Sequence, residues 1–418
     1  MKPPELTYID LFAGAGGLSE GFIRQGFKPV AHVEMDANAC LTLKTRAAYH
    51  YLKANRKDEI YYEYLKNLKT DTNKNKTLRQ ELYSHIPKQL SDSVINKEID
   101  KTSIKQIFDE IDLLLNRQQV DVVIGGPPCQ AYSLVGRARD PHGMKKDPRN
   151  YLYKYYAEFL KRYKPKMFVF ENVTGLLSAE NGFYFESMKC AFLDSGYEIG
   201  HKILNSENYG VLQTRKRVIL VGWQRERKYG YPDIQKIENK WQVSDLLADL
   251  PPISAGEKNT VEKYAAQTSE YLKKFNIRNG LPFVTQHEAR SQIERDLKIY
   301  REAVAKMLHE GKRLNYNDLS EDLKTHRNRE SFLDRFKVVK PDGLSHTMVA
   351  HIAKDGHYYI YPDLKQIRSI SIREAARIQS FPDDYYFEGG QTAAFRQIGN
   401  AVPPLMADAI AKGIKKIF

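Results

Sequence analysis

The sequence predicts a doubly wound α/β fold, a mostly parallel sheet with helices on both faces, joined to a smaller second domain. Three observations carry that expectation. Short apolar runs end in glycine- or proline-rich turns, they alternate with helical stretches, and the alternation stops in one long charged region.

In chain order, "LTYIDLF" (Leu6 to Phe12) reads as a short buried strand, followed by a glycine-rich turn and the helix "LSEGFIRQGF". "PVAHVEMD" (Pro29 to Asp36) reads as a second strand ending in acids, and "ANACLTLKTRAAYHYLKAN" as the next helix. Residues 51–98 are polar, charged and dotted with tyrosine, the texture of a helical insertion rather than of sheet core. The sheet is expected to resume with "KEIDKTSIKQI" and then "VDVVIGG", before the helix "YLYKYYAEFLKRYKP". The buried strand "MFVFENV" (Met167 to Val173), the helix "YFESMKCAFLDSGY", the extended "EIGHKILNSENYG" and the strand "RVILVGW" (Arg217 to Trp223) follow. These elements predict a first domain over 1–243. Residues 244–369 are charged and weakly periodic, the mark of a smaller domain. Residues 370–418, with "SIREAARIQSFPDDY" and the helix "PPLMADAIAKGIKKIF", return to order and are expected to complete the first domain. Proline in the first turn of that last helix costs nothing, because its missing N–H would be unpaired there anyway.

With 418 residues, 42% of them hydrophobic, the chain can build a large core of two or three domains. Its three cysteines, Cys40, Cys129 and Cys190, are widely spaced, which excludes a disulfide framework or a Cys-based zinc site and fits a reducing cytosol. The opening "MKPPELTYIDLFAGAGG" has no long apolar core behind a basic start, so no secretory signal is expected, and no run of about 18 apolar residues predicts a membrane span. Lys and Arg number 65 against 52 acids, a formal net charge of +13, which favours a polyanionic partner through counterion release.

Glycines in "DLFAGAGGLSEG" let backbone approach a ligand closely, with helix N–H groups aimed at it. The dinucleotide fingerprint wants a third glycine where Ser19 stands, which disfavours a nicotinamide site. Glu34, at the end of the second strand, is placed to accept from ribose hydroxyls. Cys129 follows Pro127 and Pro128 at the carboxyl end of an apolar strand, the edge where open α/β sheets bind ligands. The basic stretch after it can lower a thiol pKa and close over a substrate, which favours a nucleophile over a packing cysteine. Glu171 ends an apolar strand on the same expected edge, where a half-buried carboxyl can donate a proton or, more plainly, cap a helix. Arg215 and Arg217 alternate and so would share one strand face. Asn400 precedes a helix and would at least cap it. His346, His351 and His357, without cysteines nearby, point to structural or contact roles rather than a metal.

The stretches "DLFAGAGGLSEGF", "PPCQAYS", "ENV", "QTRKRVILVG", "REAARIQSFPDDY" and "QIGNAVPP", in that order from residue 10 to 404, resemble the bacterial-type AdoMet-dependent DNA (cytosine-5) methyltransferases. That resemblance implies an AdoMet-methyltransferase Rossmann-like sheet with a target-recognition domain over 244–369. Cys129 would be the nucleophile, Glu171 would hold or protonate the cytosine edge, and Arg215 and Arg217 would bind the base. Phe12, Gly14, Gly16, Glu34, Asp100, Pro127, Asn400 and Val402 would line the S-adenosylmethionine site, Asp100 meeting the adenine amino group, with no metal. Ser133, Arg137 and Arg149 in the closing loop, and Arg335 in the recognition region, would contact DNA. Tyr132 stands where the family more often has phenylalanine. The implied enzyme is a monomeric, cytoplasmic, nucleoid-associated bacterial modification methyltransferase acting on a specific duplex sequence, with a cognate restriction endonuclease encoded elsewhere. An RNA cytosine methyltransferase, a silent DNA-binding regulator on the same scaffold and a nucleotide-dependent oxidoreductase are the alternatives. Against them stand the missing Cys-Phe-Thr signature, the retained thiol and acid, and the broken glycine fingerprint.

Overall fold

A computed structural model describes residues 5–69, 75–128, 148–325 and 327–418. Its main sheet has seven strands in the order β3-β2-β1-β4-β5-β7-β6. In chain order these are β1 (Thr7–Leu11), β2 (Lys28–Glu34), β3 (Val94–Asn96), β4 (Val122–Gly125), β5 (Met167–Asn172), β6 (Tyr197–Asn205) and β7 (Lys216–Gln224). The first five pair in parallel, while β7 runs antiparallel to both β5 and β6. The mostly parallel sheet predicted from sequence is therefore present. Strand order reverses between β1 and β4, which opens a crevice at the carboxyl ends of those two strands.

Helices α1 (Gly17–Arg24), α2 (Ala37–Ala54), α3 (Asp58–Asn67), α4 (Lys76–Ser84), α5 (Lys88–Asp92), α6 (Ile104–Leu115), α7 (Leu152–Tyr163) and α8 (Phe183–Leu193) connect the strands. One face of the sheet packs Ile9, Val123, Phe168 and Phe170 against α6, α7 and α8. The other packs Tyr8, Ile124, Val169 and Ile219 against α1 and the last helix, α14 (Pro404–Lys415). Between them in sequence lie α9 (Val243–Leu247), β8 (Lys258–Glu262), α10 (Glu270–Lys274), β9 (Val284–Glu288), α11 (Glu294–Glu310), α12 (Ile372–Ile378) and α13 (Gln391–Asn400). β8 and β9 form an antiparallel hairpin. α11 builds a separate small core with Tyr316, Phe336 and Ile360.

Two readings of the insertion change. The strand that rejoins the sheet is Val94–Asn96, inside the span expected to be helical, because His32 to Glu34 of β2 offer it an unpaired edge. The run "KEIDKTSIKQI" is not strand: it leads into α6, whose Ile104, Ile107, Ile111 and Leu115 recur at helical spacing and are buried. Helices α3 and α4 and the turn after α4 bury Tyr61, Tyr64, Leu65, Leu82 and Ile86 with Leu281 and Phe283 near the β8–β9 hairpin.

The C-terminal segment is held by close backbone contact and by buried charge. A Cβ on Gly21 would lie 2.3 Å from the Asp408 nitrogen and 2.4 Å from the Ala407 carbonyl carbon, so α1 and α14 meet only because glycine is there. Arg377 of α12 pairs with Asp249 at 2.5 Å and Asp383 at 2.6 Å, all three buried. Arg373 donates to the Thr285 carbonyl of β9 at 3.1 Å and to the Tyr385 carbonyl at 3.0 Å. Breaking such a buried pair by removing one partner leaves an uncompensated charge.

Gly21→Ala is expected to destabilise the protein by about 1–3 kcal/mol, the range for overpacking a close contact. The loss would appear as a lower denaturant midpoint at unchanged m. A variant within about 0.5 kcal/mol of the parent would contradict this packing.

Candidate active site

The turn after β1 is shaped by backbone that few side chains tolerate. Phe12 has φ 56°, Gly14 54° and Gly16 76°. A positive φ at a phenylalanine is strain that the surrounding structure must impose, and such residues cluster at binding sites. Tyr385, from the C-terminal segment, holds the turn by donating to the Ala15 carbonyl. Gly14 N–H donates to Glu34 Oε2 at 2.8 Å, and Asp36 N–H to Glu34 Oε1, also at 2.8 Å. Burial raises the Glu34 carboxyl pKa, while these backbone donors partly restore its charge. Nothing stands within 4 Å of where a Cβ on Gly14 would project, so the space over the turn is open. Val402 seals its side: a Cβ on Gly17 would lie 2.2 Å from the Val402 carbonyl oxygen. Asn400 closes α13 at the same end and is exposed.

Sequence reasoning missed Asp10. It is buried on β1, its pKa raised well above the ordinary range by burial and then by Glu34. Its Oδ2 has no hydrogen-bond partner among the described residues. An acid inside an otherwise apolar strand was the available signal. A strained glycine turn, a carboxylate held by backbone and a buried acid with an open valence fit a polar, partly cationic nucleoside such as S-adenosylmethionine. Asp100 is placed differently. Its Oδ1 accepts from Thr102 N–H, Ser103 N–H and both hydroxyls at 2.8–2.9 Å, which turns the chain into α6. Those bonds, the Ser103 N–H first, pull its pKa down to about 2.

The second half of the site lies across β4, β5 and β7. A Cβ on Gly126 would sit 2.1 Å from the Glu171 carbonyl oxygen, so the chain leaving β4 passes directly over the end of β5. Asn172 then donates to the Pro127 carbonyl at 3.4 Å. Glu171 and Arg217 form an ion pair at 2.8 Å, both side chains largely buried. Cys129, Ser133 and Arg137 lie outside the described residues, and Arg149 sits in the short 3-10 turn of Pro148–Tyr151 that precedes α7. Of the other cysteines, Cys40 is buried with its thiol pKa pushed up to about 12, a packing residue, and Cys190 is exposed.

Arg215 does not share a face with Arg217 at Glu171. β7 begins only at Lys216, and Arg215, fully buried, donates to the Met348 carbonyl and, at 3.2 Å, to the Gly399 carbonyl. Its guanidinium ties 348–350 to the end of α13. Beside it, Gln213 donates to Gln379 at 2.8 Å, and Gln379 donates to the Ile398 carbonyl at 2.6 Å, so three motifs distant in sequence meet in one buried amide chain. Arg335 is also occupied: it donates to the Phe332, Asn328 and Ser331 carbonyls at 2.9–3.1 Å and lies over the Tyr316 ring. That removes it from the exposed DNA-contacting role and makes it the clasp of its own loop. His346 donates to the Tyr358 carbonyl and stacks on Tyr359 at 4.9 Å. Among the described residues no group of three or more His, Cys, Asp or Glu could hold a metal ion, and no helix is long and apolar enough to cross a membrane.

Sequence profiles of the C-5 cytosine-specific DNA methylases match residues 6–71 and 67–416. The type II methyltransferase M.Bpa9945I of Bacillus paralicheniformis is 41% identical, over 99% of this chain and 99% of its own. The type II methyltransferase M.DdeI of Desulfomicrobium norvegicum is 31% identical, over 99% of this chain and 89% of its own. A crystal structure described as a DNA modification methyltransferase encoded within an E. coli prophage shares the fold, with a TM-score of 0.63 at 23% identity and 99% of each chain covered.

Ser19, at the position where the dinucleotide fingerprint has glycine, bridges Tyr8 at 2.5 Å and His32 at 2.9 Å beneath the strained turn. Burial, and secondarily His50, lowers the His32 pKa to about 4, so the folded protein keeps this ring neutral. The unfolded chain takes up that proton near pH 6.5, so the stability is whole above pH 6.5 and is lost as pH falls toward 4. The His32 share is about 3 kcal/mol. His346, also lowered to about 4 by burial, adds a slope of the same sign. Chemical denaturation from pH 7 to 4 is expected to show a shallower acid loss for His32→Gln. An unchanged slope would contradict a neutral buried His32.

Proposed function

The chain belongs to the C-5 cytosine-specific DNA methylase family, and on that premise we propose that this DNA (cytosine-5) methyltransferase, of the type II restriction–modification kind, works through a covalent Cys129–cytosine adduct on a base extruded from the duplex. The observation that supports the reading most is the Glu171–Arg217 pair at the end of β5, directly under the chain that leads from Gly126 and Pro127 to Cys129.

Cytosine carbon 5 is a poor nucleophile. Addition of the Cys129 thiolate at carbon 6 breaks the aromatic system and makes carbon 5 enamine-like. Glu171 lowers the barrier to that addition by accepting from the cytosine amino group and sharing a proton with N3, and Arg217 keeps the carboxylate aimed and offsets charge on the ring. Arg215 acts through backbone: by clamping the Met348 and Gly399 carbonyls it fixes the segments that flank the base. S-adenosylmethionine, the donor that the methyltransferase family implies, supplies a sulfonium methyl for carbon 5 when bound. Phe12, Gly14, Gly16, Glu34, Asp10, Pro127, Asn400 and Val402 would hold it. Asp100 would meet it through the carboxylate oxygen that does not cap α6. Loss of the carbon-5 proton then expels Cys129 and restores aromaticity. None of these steps fits inside a base stack, and extrusion costs a few kcal/mol. Ser133, Arg137 and Arg149 would close on the DNA backbone, and residues 244–369 would read the target. A monomer acting alongside a separately encoded restriction endonuclease completes the reading.

Cys129→Ser is expected to abolish methyl transfer from labelled S-adenosylmethionine to duplex DNA while leaving donor binding intact. Glu171→Gln should lower kcat by 10²-fold or more, the size of a general acid–base contribution. Full activity in Cys129→Ser, or transfer to tRNA in place of duplex DNA, would replace this reading.

A further inference from the structure

Beside the site, a groove of about 770 Å³ runs along the carboxyl end of β6 and the start of β7. Its walls include Lys202, Lys216 and Lys236 together with Thr174, Asn205 and Asn208. All three lysines are exposed, and among the described residues none has a carboxylate partner within ion-pair distance. Lys202 instead lies 4.8 Å from the centre of the Tyr231 ring. Among the described residues of the wall the one acid, Asp233, accepts from the Gln235 amide. Three cations against one anion leave the groove positive.

Its place in the sheet matters as much as its charge. Asn205 of β6 is in register with Lys216 of β7, and the next residue, Arg217, pairs with Glu171. Thr174 follows Asn172 by two positions. The groove therefore opens at the same carboxyl edge of the sheet as the Glu171–Arg217 pair. β6 is two strands from β5, about 10 Å at ordinary strand spacing. That is the rise of about three base pairs along one DNA strand, at roughly 3.4 Å each.

We propose that this groove carries the phosphodiester backbone of the duplex about three base pairs from the extruded cytosine. The inference rests on the DNA-methylating role above and adds to it a contact surface outside residues 244–369. A captured small anion would need donors that are buried and preorganised. Here the cations are exposed and on flexible stems, the arrangement that suits a polyanion bound by counterion release. The lysines position DNA and read no bases.

The test is the salt dependence of binding to a 30-base-pair random duplex, by fluorescence anisotropy, for the full chain and for the triple variant Lys202→Ala, Lys216→Ala, Lys236→Ala. Three lost phosphate contacts are expected to reduce the slope of log K against log salt by about 2.7. The variant Lys202→Arg, Lys216→Arg, Lys236→Arg should restore it, and S-adenosylmethionine binding should be equal in all three proteins. A slope that is unchanged in the alanine variant overturns the groove assignment alone. A parent protein that fails to bind duplex DNA at all overturns the DNA-methylating reading as well.

Discussion

The ion pair between Glu171 and Arg217 is the constraint around which the site is arranged. It spans strands that run in opposite directions, so it requires β7 to enter the sheet antiparallel beside β5. β6 supplies β7 with its other edge, and the start of β7 delivers Arg217 to the end where β5 delivers Glu171. Gly126 is bare of side chain because the path toward Cys129 must cross the Glu171 carbonyl at that point. A carboxylate paired at 2.8 Å and largely shielded from water is oriented before any substrate arrives. Preorganisation of that kind is worth more than a flexible acid of the same pKa.

Around this pair the molecule is tied by buried polar contacts more than by one continuous core. Arg46 meets Glu20 at 2.6 Å and Asp384 at 2.8 Å, linking α1, α2 and the C-terminal segment. Glu388 accepts from Thr45 at 2.8 Å and from Tyr64, and pairs with Arg79 at 3.2 Å. Burial raises its pKa, and the three donors counter that effect. Tyr61 donates to the Asp384 carbonyl at 2.8 Å. The tyrosine-rich helices between α2 and β3 thereby brace the segment that returns to cover the strained turn after β1. Their tyrosines are core residues whose hydroxyls find acceptors, as buried tyrosines must.

Much of the sheet is legible in the sequence because β1, β4, β5 and β7 are buried on both faces along most of their length and carry mainly apolar runs, broken in β1 by Asp10. The turn glycines are legible because they follow β1, and Glu34 and Glu171 because each stands at or next to the carboxyl end of a strand. β3 was not: three residues at a sheet edge carry too little pattern, and only β2 makes them a strand. Alternation puts Arg215 on the face of Arg217, but β7 begins only at Lys216, and the Arg215 side chain turns into a crossing of two backbones. Arg335 reads as a DNA contact by charge alone, yet three carbonyls consume it. Asp10 was overlooked because an acid near a strand end reads as solvated, and its neighbours' burial is a tertiary fact.

The proposed reaction turns on a thiol that bonds to an extruded pyrimidine over an oriented carboxylate. Duplex DNA synthesised with 5-fluorocytosine cannot lose its carbon-5 substituent as a proton, so a methylated adduct should persist. Incubation with the full chain and S-adenosylmethionine is expected to give a protein–DNA band stable to denaturing electrophoresis, with the cross-link mapped to Cys129. No stable band, or a cross-link through another residue, would contradict the account.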